Sequence, residues 1–256
     1  MRIWRRYSGK HDAEPDFHIR SAGGGMNDAT DPAADDAALR AAVVHTALEM
    51  ERLGINQGTS GNVSVRCGED FLITPSGVPA AALTADSIVR LPLDVEADAP
   101  LLSKRGPSSE WRMHRDILRA RGEIDAVVHT HSIAATAMAI HGREIPAHHY
   151  MVAAAGGNSI RCAPYATFGS QALSDYALEA LEDRTACLLA HHGVIAIGRD
   201  LERALWLANE VEVLAKQYLL ASQLGTPPLL SDDEIAEVVK KFSNYGPRRA
   251  HGSGAR

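Results

Sequence analysis

The sequence predicts one α/β domain with a mixed, mainly antiparallel sheet and helices on its faces. Three observations lead there. Strand-like and helix-like segments alternate irregularly, without the βαβ rhythm of a parallel sheet. No internal repeat is visible. The 256 residues, 45% hydrophobic and 23% charged, supply a substantial core, yet contain no apolar run of the roughly 18 residues that a membrane span needs. A net charge of −6 at pH 7 argues against a nucleic-acid or anionic-membrane binder. Cys67, Cys162 and Cys187 are odd in number and widely spaced, which suits reduced thiols in a cytoplasmic protein.

Taken in order, residues 1–35 mix Arg, Asp, Pro and a glycine triplet without period, and are expected to be a flexible extension. They begin with basic residues, but no apolar signal core follows. Leu39, Val43, Thr46, Met50 and Leu53 recur at helical spacing, with Gly54 placed to end the helix. The glycine-punctuated stretch from Gly54 to Gly61 runs into an alternating strand at Asn62–Arg66. Phe71–Thr74 reads as its hairpin partner, closed by Pro75-Ser76-Gly77. An acidic excursion over 92–104 precedes a helix from about Ser108 to Arg121, which a serine is expected to cap.

Val127-Val128-His129-Thr130-His131 has strand composition, so the two histidines should point to one face. An apolar helical run over 134–140 follows, and later a helix through Leu173, Ala177 and Leu181. Ala186 to Ile197 reads as a buried strand broken by a turn, with the pair His191-His192 within it. Neighbouring strand residues face opposite ways, so one of His191 and His192 should join a site. Asp200 caps a long helix with a stripe through Leu205, Ala208, Val211, Ala215 and Tyr218. Ser231 and Glu234 form a capping box for a last helix through Phe242, and a glycine-rich tail follows.

Three turns offer anion donors free of lysine and arginine: Gly61-Asn62, Ser76-Gly77 and Ser108-Ser109. A phosphate there would be held by neutral dipoles. Beside the third turn stands Glu110, and the strands add His129, His131 and one further histidine. Three imidazoles and a carboxylate suit Zn²⁺, with other divalent first-row metals possible. Such a metal polarises the carbonyl of a phosphorylated hydroxyketone, and a carboxylate moves the proton on carbon while the neighbouring C–C bond breaks.

In this order, Gly54–Arg66, Thr74–Gly77, Pro107–Arg112, His129–His131, Tyr150–Gly169 and His191–Gly193 closely resemble the class II aldolase/epimerase family. The resemblance runs from about Leu39 to Tyr245. It implies a single three-layer α/β/α domain over 36–246, with 247–256 as a flexible tail. It also implies a cyclic homotetramer with active sites at subunit boundaries, and one Zn²⁺ per subunit. Carried over by motif, Glu110 is acid/base and metal ligand, and His129, His131 and His192 complete the metal shell. Gly61, Asn62, Ser76, Gly77, Ser108 and Ser109 hold the phosphate. Tyr150 enters a neighbour's site as a second catalytic group, and Tyr245 closes over the substrate.

The activity so implied is reversible cleavage of a deoxyketose 1-phosphate of the L-fuculose 1-phosphate type to dihydroxyacetone phosphate and a small aldehyde such as L-lactaldehyde. The alternative is 5-deoxyribulose 1-phosphate or its 5-methylthio analogue. Pentulose-5-phosphate 4-epimerases share the bond-breaking step, but the extended Tyr150–Gly169 match disfavours them. A non-catalytic module of the adducin kind should have lost metal ligands, and all four are present here.

Overall fold

The computed structural model describes residues 32–96 and 106–243. Most of the 1–35 extension, the later part of the acidic excursion, Tyr245 and the 247–256 tail lie outside the described residues. Seven strands form the main sheet. β1 (Asn62–Cys67), β2 (Asp70–Ile73), β3 (Val89–Pro92) and β4 (Ala126–Thr130) make up one half. β7 (Cys162–Ala163), β8 (Ala186–Leu189) and β9 (Gly193–Gly198) make up the other. The order across the sheet is β3-β2-β1-β4-β9-β8-β7. All neighbours are antiparallel except β7 with β8. β5 (Ile145–Pro146) and β6 (Ser159–Ile160) pair separately.

The pleat divides the core in two. Val63, Val65, Val128, Leu188 and Val194 point to one face, where α1 (Pro32–Arg52), α3 (Ile133–Ile140) and α5 (Leu201–Ser222) cover them. Phe71, Val127, Leu189, Ile195 and Ile197 point to the other, against α2 (Trp111–Ala120) and α4 (Gln171–Ala180). This is the three-layer α/β/α arrangement. Because both faces are covered, β1, β4, β8 and β9 are buried almost throughout, and β1 lacks the buried/exposed alternation expected of a sheet open on one side. The last helix, α6 (Asp232–Ser243), packs through Ile235 on a 3₁₀ segment over Tyr150–Ala155.

Several local signals act as expected. α1 ends at Arg52, and Gly54 takes φ +71° just beyond. Asp200 accepts from the Arg203 amide at the start of α5, and Ser231 and Glu234 exchange their capping bonds before α6. Three details differ. α1 begins at Pro32, inside the stretch assigned to the extension. α2 is not capped by a serine side chain: its N-cap is Glu110, and the Ser108 hydroxyl instead accepts from the Glu110 amide at 3.3 Å. His191 and His192 lie in the connection between β8 and β9, not in a strand.

Candidate metal centre

The pairing of β4 with both its neighbours builds this site. Asn62 lies opposite His129 across β1 and β4, while His129 and Thr130 lie opposite Ile195 and Val194 of β9. His129 is thereby fully buried at the end of β4, and His131 follows one residue beyond the strand. The β8–β9 connection then returns a third imidazole. There His191 takes a left-handed φ of +56°, unusual for a residue with a Cβ. His192 follows it into the cluster, whereas the exposed His191 packs against Tyr165. Gly193 permits this approach: a Cβ there would stand 2.3 Å from the Thr130 carbonyl oxygen. Choice between the two histidines therefore rests on a turn conformation, and strand alternation is not its cause.

Glu110 enters from the start of α2. Its ligand atom and those of His129, His131 and His192 lie within 4.8 Å of one another. His129 Nε2 is 3.0 Å from His131 Nε2 and 3.1 Å from Glu110 Oε2, and His192 Nε2 is 3.2 Å from Glu110 Oε1. Tetrahedral bonds of zinc length place ligand atoms about 3.3 Å apart. His129 Nδ1 donates to the Val194 carbonyl at 2.9 Å, so its Nε2 lone pair faces the cluster. Glu110 Oε1 is buried without a hydrogen-bond partner. A ring of lone pairs around an unpartnered carboxylate oxygen is costly on its own and suits a cation. The residues fit a metal.

The electrostatics agree. Burial opposes ionisation of Glu110, but positive charge on the neighbouring imidazoles holds its carboxyl well below the usual carboxylate range. Against the effect of burial, Glu110 in turn raises His129: the carboxylate calls for a positive charge, which a bound cation supplies in place of a proton. Burial, reinforced by His129 and His192, pushes His131 down to about 3 and so keeps it neutral as a ligand must be.

The three candidate anion turns gather at the same end of the sheet. Thr74 donates its amide to Val63, and its hydroxyl accepts from the Val63 amide. Pro75 and Pro107 form a bridge, with the Ser76 amide on the Gly106 carbonyl and the Ser108 amide on the Thr74 carbonyl. Those two amides stitch the loops together, while the side chains of Ser76 and Ser109 remain exposed. Gly77 takes φ +68°. Gly61 lies so close to β4 that a Cβ would stand 2.7 Å from the His129 carbonyl oxygen.

Asn62 is buried, and its Nδ2 donates to Glu110 Oε2 at 2.9 Å. Its Oδ1 lies 2.5 Å from Nε2 of the buried His114, whose Nδ1 lies 2.7 Å from the Ser64 hydroxyl. His114 was missed in the sequence. The signal was present: it stands four residues after Glu110 on the apolar stripe of Ile117 and Leu118, where a histidine needs partners. Glu212 of α5 was also missed. Its carboxylate accepts the amides of Ala134 and Ala135 and so caps α3, which starts two residues after His131.

Tyr150 stands apart from the cluster. It lines a cavity of about 990 Å³ with Met151, Ile197, Gly198, Arg199 and Phe242, at the end of β9 opposite Gly193.

The family described as Class II Aldolase and Adducin N-terminal domain matches residues 41–219. L-fuculose phosphate aldolase of Escherichia coli (strain K12) is 52% identical over 207 residues, covering 80% of this chain and 94% of the relative. A 5-methylthioribulose-1-phosphate/5-deoxyribulose-1-phosphate aldolase of Rhodospirillum rubrum is 52% identical over 209 residues, covering 82% and 93%. A solved structure of an L-fuculose 1-phosphate aldolase superposes with a TM-score of 0.75 at 36% identity, covering 80% of this chain and 96% of that one.

Proposed function

The chain belongs to the family of class II aldolase and adducin N-terminal domains, and from that membership we propose a zinc-dependent aldehyde-lyase acting on a deoxyketose 1-phosphate. It cleaves this substrate reversibly to dihydroxyacetone phosphate and a small aldehyde, L-lactaldehyde when the substrate is L-fuculose 1-phosphate. The single observation carrying this reading is the Glu110–His129–His131–His192 cluster, two of its members buried and two half-buried, with Glu110 Oε1 lacking a hydrogen-bond partner. The equal 52% identity to relatives of both kinds favours a second substrate, 5-deoxyribulose 1-phosphate or its 5-methylthio analogue. The candidates share their phosphate and carbonyl ends. A methyl or methylene at the aldehyde end is worth roughly 1–3 kcal/mol in a pocket.

In this reading Glu110, His129, His131 and His192 hold the metal, which supplies Lewis acidity for the substrate carbonyl. Gly61, Ser76, Gly77, Ser108 and Ser109 receive the phosphate, bringing C2 and C3 to Glu110, while the Asn62 side chain expected to join them is held on Glu110 instead. The phenol of Tyr150 accepts the proton of the C4 hydroxyl while passing its own on toward Glu110. The C3–C4 bond breaks, C4 leaves as the aldehyde carbon, and the electron pair passes through C3 to the C2 oxygen. Glu110, having received that proton, delivers it to C3, completing dihydroxyacetone phosphate. Water is kept from Glu110 and His129 by their burial.

Tyr150 lies at the far end of the sheet within one chain, so this mechanism requires it from a neighbouring subunit. A homotetramer with sites at subunit boundaries meets that need, and Tyr245 closes over the bound substrate. The catalytic domain is the 36–246 span extended back to the start of α1 at Pro32, with 247–256 outside it. Among the described residues no helix is long and apolar enough to cross a membrane. Its free cysteines support a cytoplasmic protein in this reading.

The test is a coupled assay for dihydroxyacetone phosphate, run on L-fuculose 1-phosphate, 5-deoxyribulose 1-phosphate and 5-methylthioribulose 1-phosphate with and without a zinc chelator. Chelator-sensitive release supports the reading, and the kcat/KM ratios rank the substrates. No release from any of the three overturns it in favour of an epimerase or a binding module.

A further inference from the structure

Behind Glu110 runs a buried polar chain of Ser64, His114 and Asn62, and its direction can be worked out from the metal end. Asn62 Nδ2 donates to Glu110 Oε2 at 2.9 Å, as a carboxylate that holds a metal accepts only, so the NH₂ is the end of the amide that faces Glu110. That turns Asn62 Oδ1 toward His114. A carbonyl oxygen accepts only, so the His114 nitrogen facing it, Nε2 at 2.5 Å, carries the hydrogen. A neutral imidazole then has its lone pair on Nδ1, which receives the Ser64 hydroxyl hydrogen at 2.7 Å. Ser64 and His114 are wholly buried, and Asn62 and Glu110 nearly so. No water competes, and every donor points toward Glu110, an arrangement in which each bond polarises the next.

We propose that His114, held by Ser64, is a positioning residue: it fixes the flip of the Asn62 amide and, through it, which oxygen of Glu110 is engaged and which is free. Asn62 occupies Oε2, leaving Oε1, the oxygen without a hydrogen-bond partner, for metal and proton. Without His114, the Asn62 amide is free to reverse. Its carbonyl would then face the carboxylate, repel it and swing it off the cluster. The inference rests on the reading of Glu110 as acid/base and metal ligand. Burial keeps His114 neutral, down at about 3, which agrees with its having a single donor.

The experiment compares zinc-loaded wild type with His114→Leu, His114→Gln and Ser64→Ala. It measures kcat and KM for dihydroxyacetone phosphate release, zinc affinity by chelator competition, and thermal unfolding. Groups that orient metal ligands typically cost about 10–100-fold in affinity or activity when removed. His114→Leu should lose about that much in kcat and in zinc affinity, with KM changed no more than about threefold. His114→Gln places an amide donor where Nε2 was and should recover kcat to within about fivefold of wild type. Ser64→Ala, which only releases the imidazole, should fall between them. A folded His114→Leu with wild-type kcat and zinc affinity overturns the proposal, as does a glutamine variant no better than leucine. Should the leucine variant fail to fold, Ser64→Ala decides: wild-type kcat there also overturns it. If wild type itself releases no dihydroxyacetone phosphate, the aldolase reading fails separately, and zinc affinity across the variants still tests the positioning role.

Discussion

Replacing Glu110 by glutamine keeps the size of the side chain and removes its charge, which isolates proton transfer from packing. The surroundings allow the exchange. Asn62 Nδ2 donates to one carboxylate oxygen at 2.9 Å, so the glutamine oxygen can take that bond and its NH₂ can face His192, 3.2 Å from the other oxygen. One buried acceptor is thus conserved, and the side chain should stay near its place. Three imidazoles remain to hold a metal ion. What disappears, on the proposed mechanism, is the group that carries a proton to C3. Positioned acid–base groups contribute about 10²–10⁴ in rate, or roughly 2.7–5.5 kcal/mol of barrier at 1.36 kcal/mol per decade. The assay is dihydroxyacetone phosphate release at saturating substrate, with zinc content measured on the same sample. Glu110→Asp is the companion. It restores the charge but withdraws it by one methylene from Asn62 and His192, and a misplacement of about 1 Å can cost roughly 10²-fold. Zinc-loaded, folded Glu110→Gln turning over within tenfold of wild type would refute the assignment of Glu110 as the acid/base group.

Three further outcomes are expected. His131→Ala should lower zinc content and turnover together; full activity in a metal-free sample would sink the zinc reading. Glu212→Ala leaves two first-turn amides of α3 without their acceptor, which should cost about 1–2 kcal/mol as lost caps do; the melting temperature should fall by about 2–8 °C for a chain of this size, and an unchanged value would deny the cap any role. The pH dependence of metal-free stability follows from His114, pushed down to about 3 by burial, with His129 assisting and Glu110 opposing. Above about pH 6.5 it is neutral in both folded and unfolded chains. Below that the unfolded chain takes a proton the native one refuses, so stability falls with pH between about 6.5 and 3, by about 1.4 kcal/mol per unit from this residue. Urea unfolding at pH 7 and pH 5 should show this loss in wild type and a shallower one in His114→Gln; equal slopes would contradict it.

What the sequence by itself determined was what depends on near neighbours in the chain. The stripes of α1 and α5, the Asp200 cap and the Ser231–Glu234 box are set by residues within a turn or two of one another. The joint projection of His129 and His131 follows from a two-residue spacing, and the β1–β2 hairpin from a short connection. The family motifs named the four cluster residues, because a motif records which side chains occur together and in what order. Local chemistry misled where two uses of one group compete: a serine before a helix usually caps it, but Ser108 donates its amide to Thr74 and turns its hydroxyl to the Glu110 amide.

Only the tertiary structure decided what depends on residues far apart in the chain. The strand order sets Asn62 against His129, 67 positions later by subtraction, and so turns a candidate phosphate donor toward Glu110. The left-handed His191 directs His192 inward, a conformation that no periodicity encodes. The Ser64–His114–Asn62 chain and the Glu212 cap join elements that share no local pattern. Their partners are selected because a buried donor or acceptor must find its complement wherever the packed layers bring one within reach.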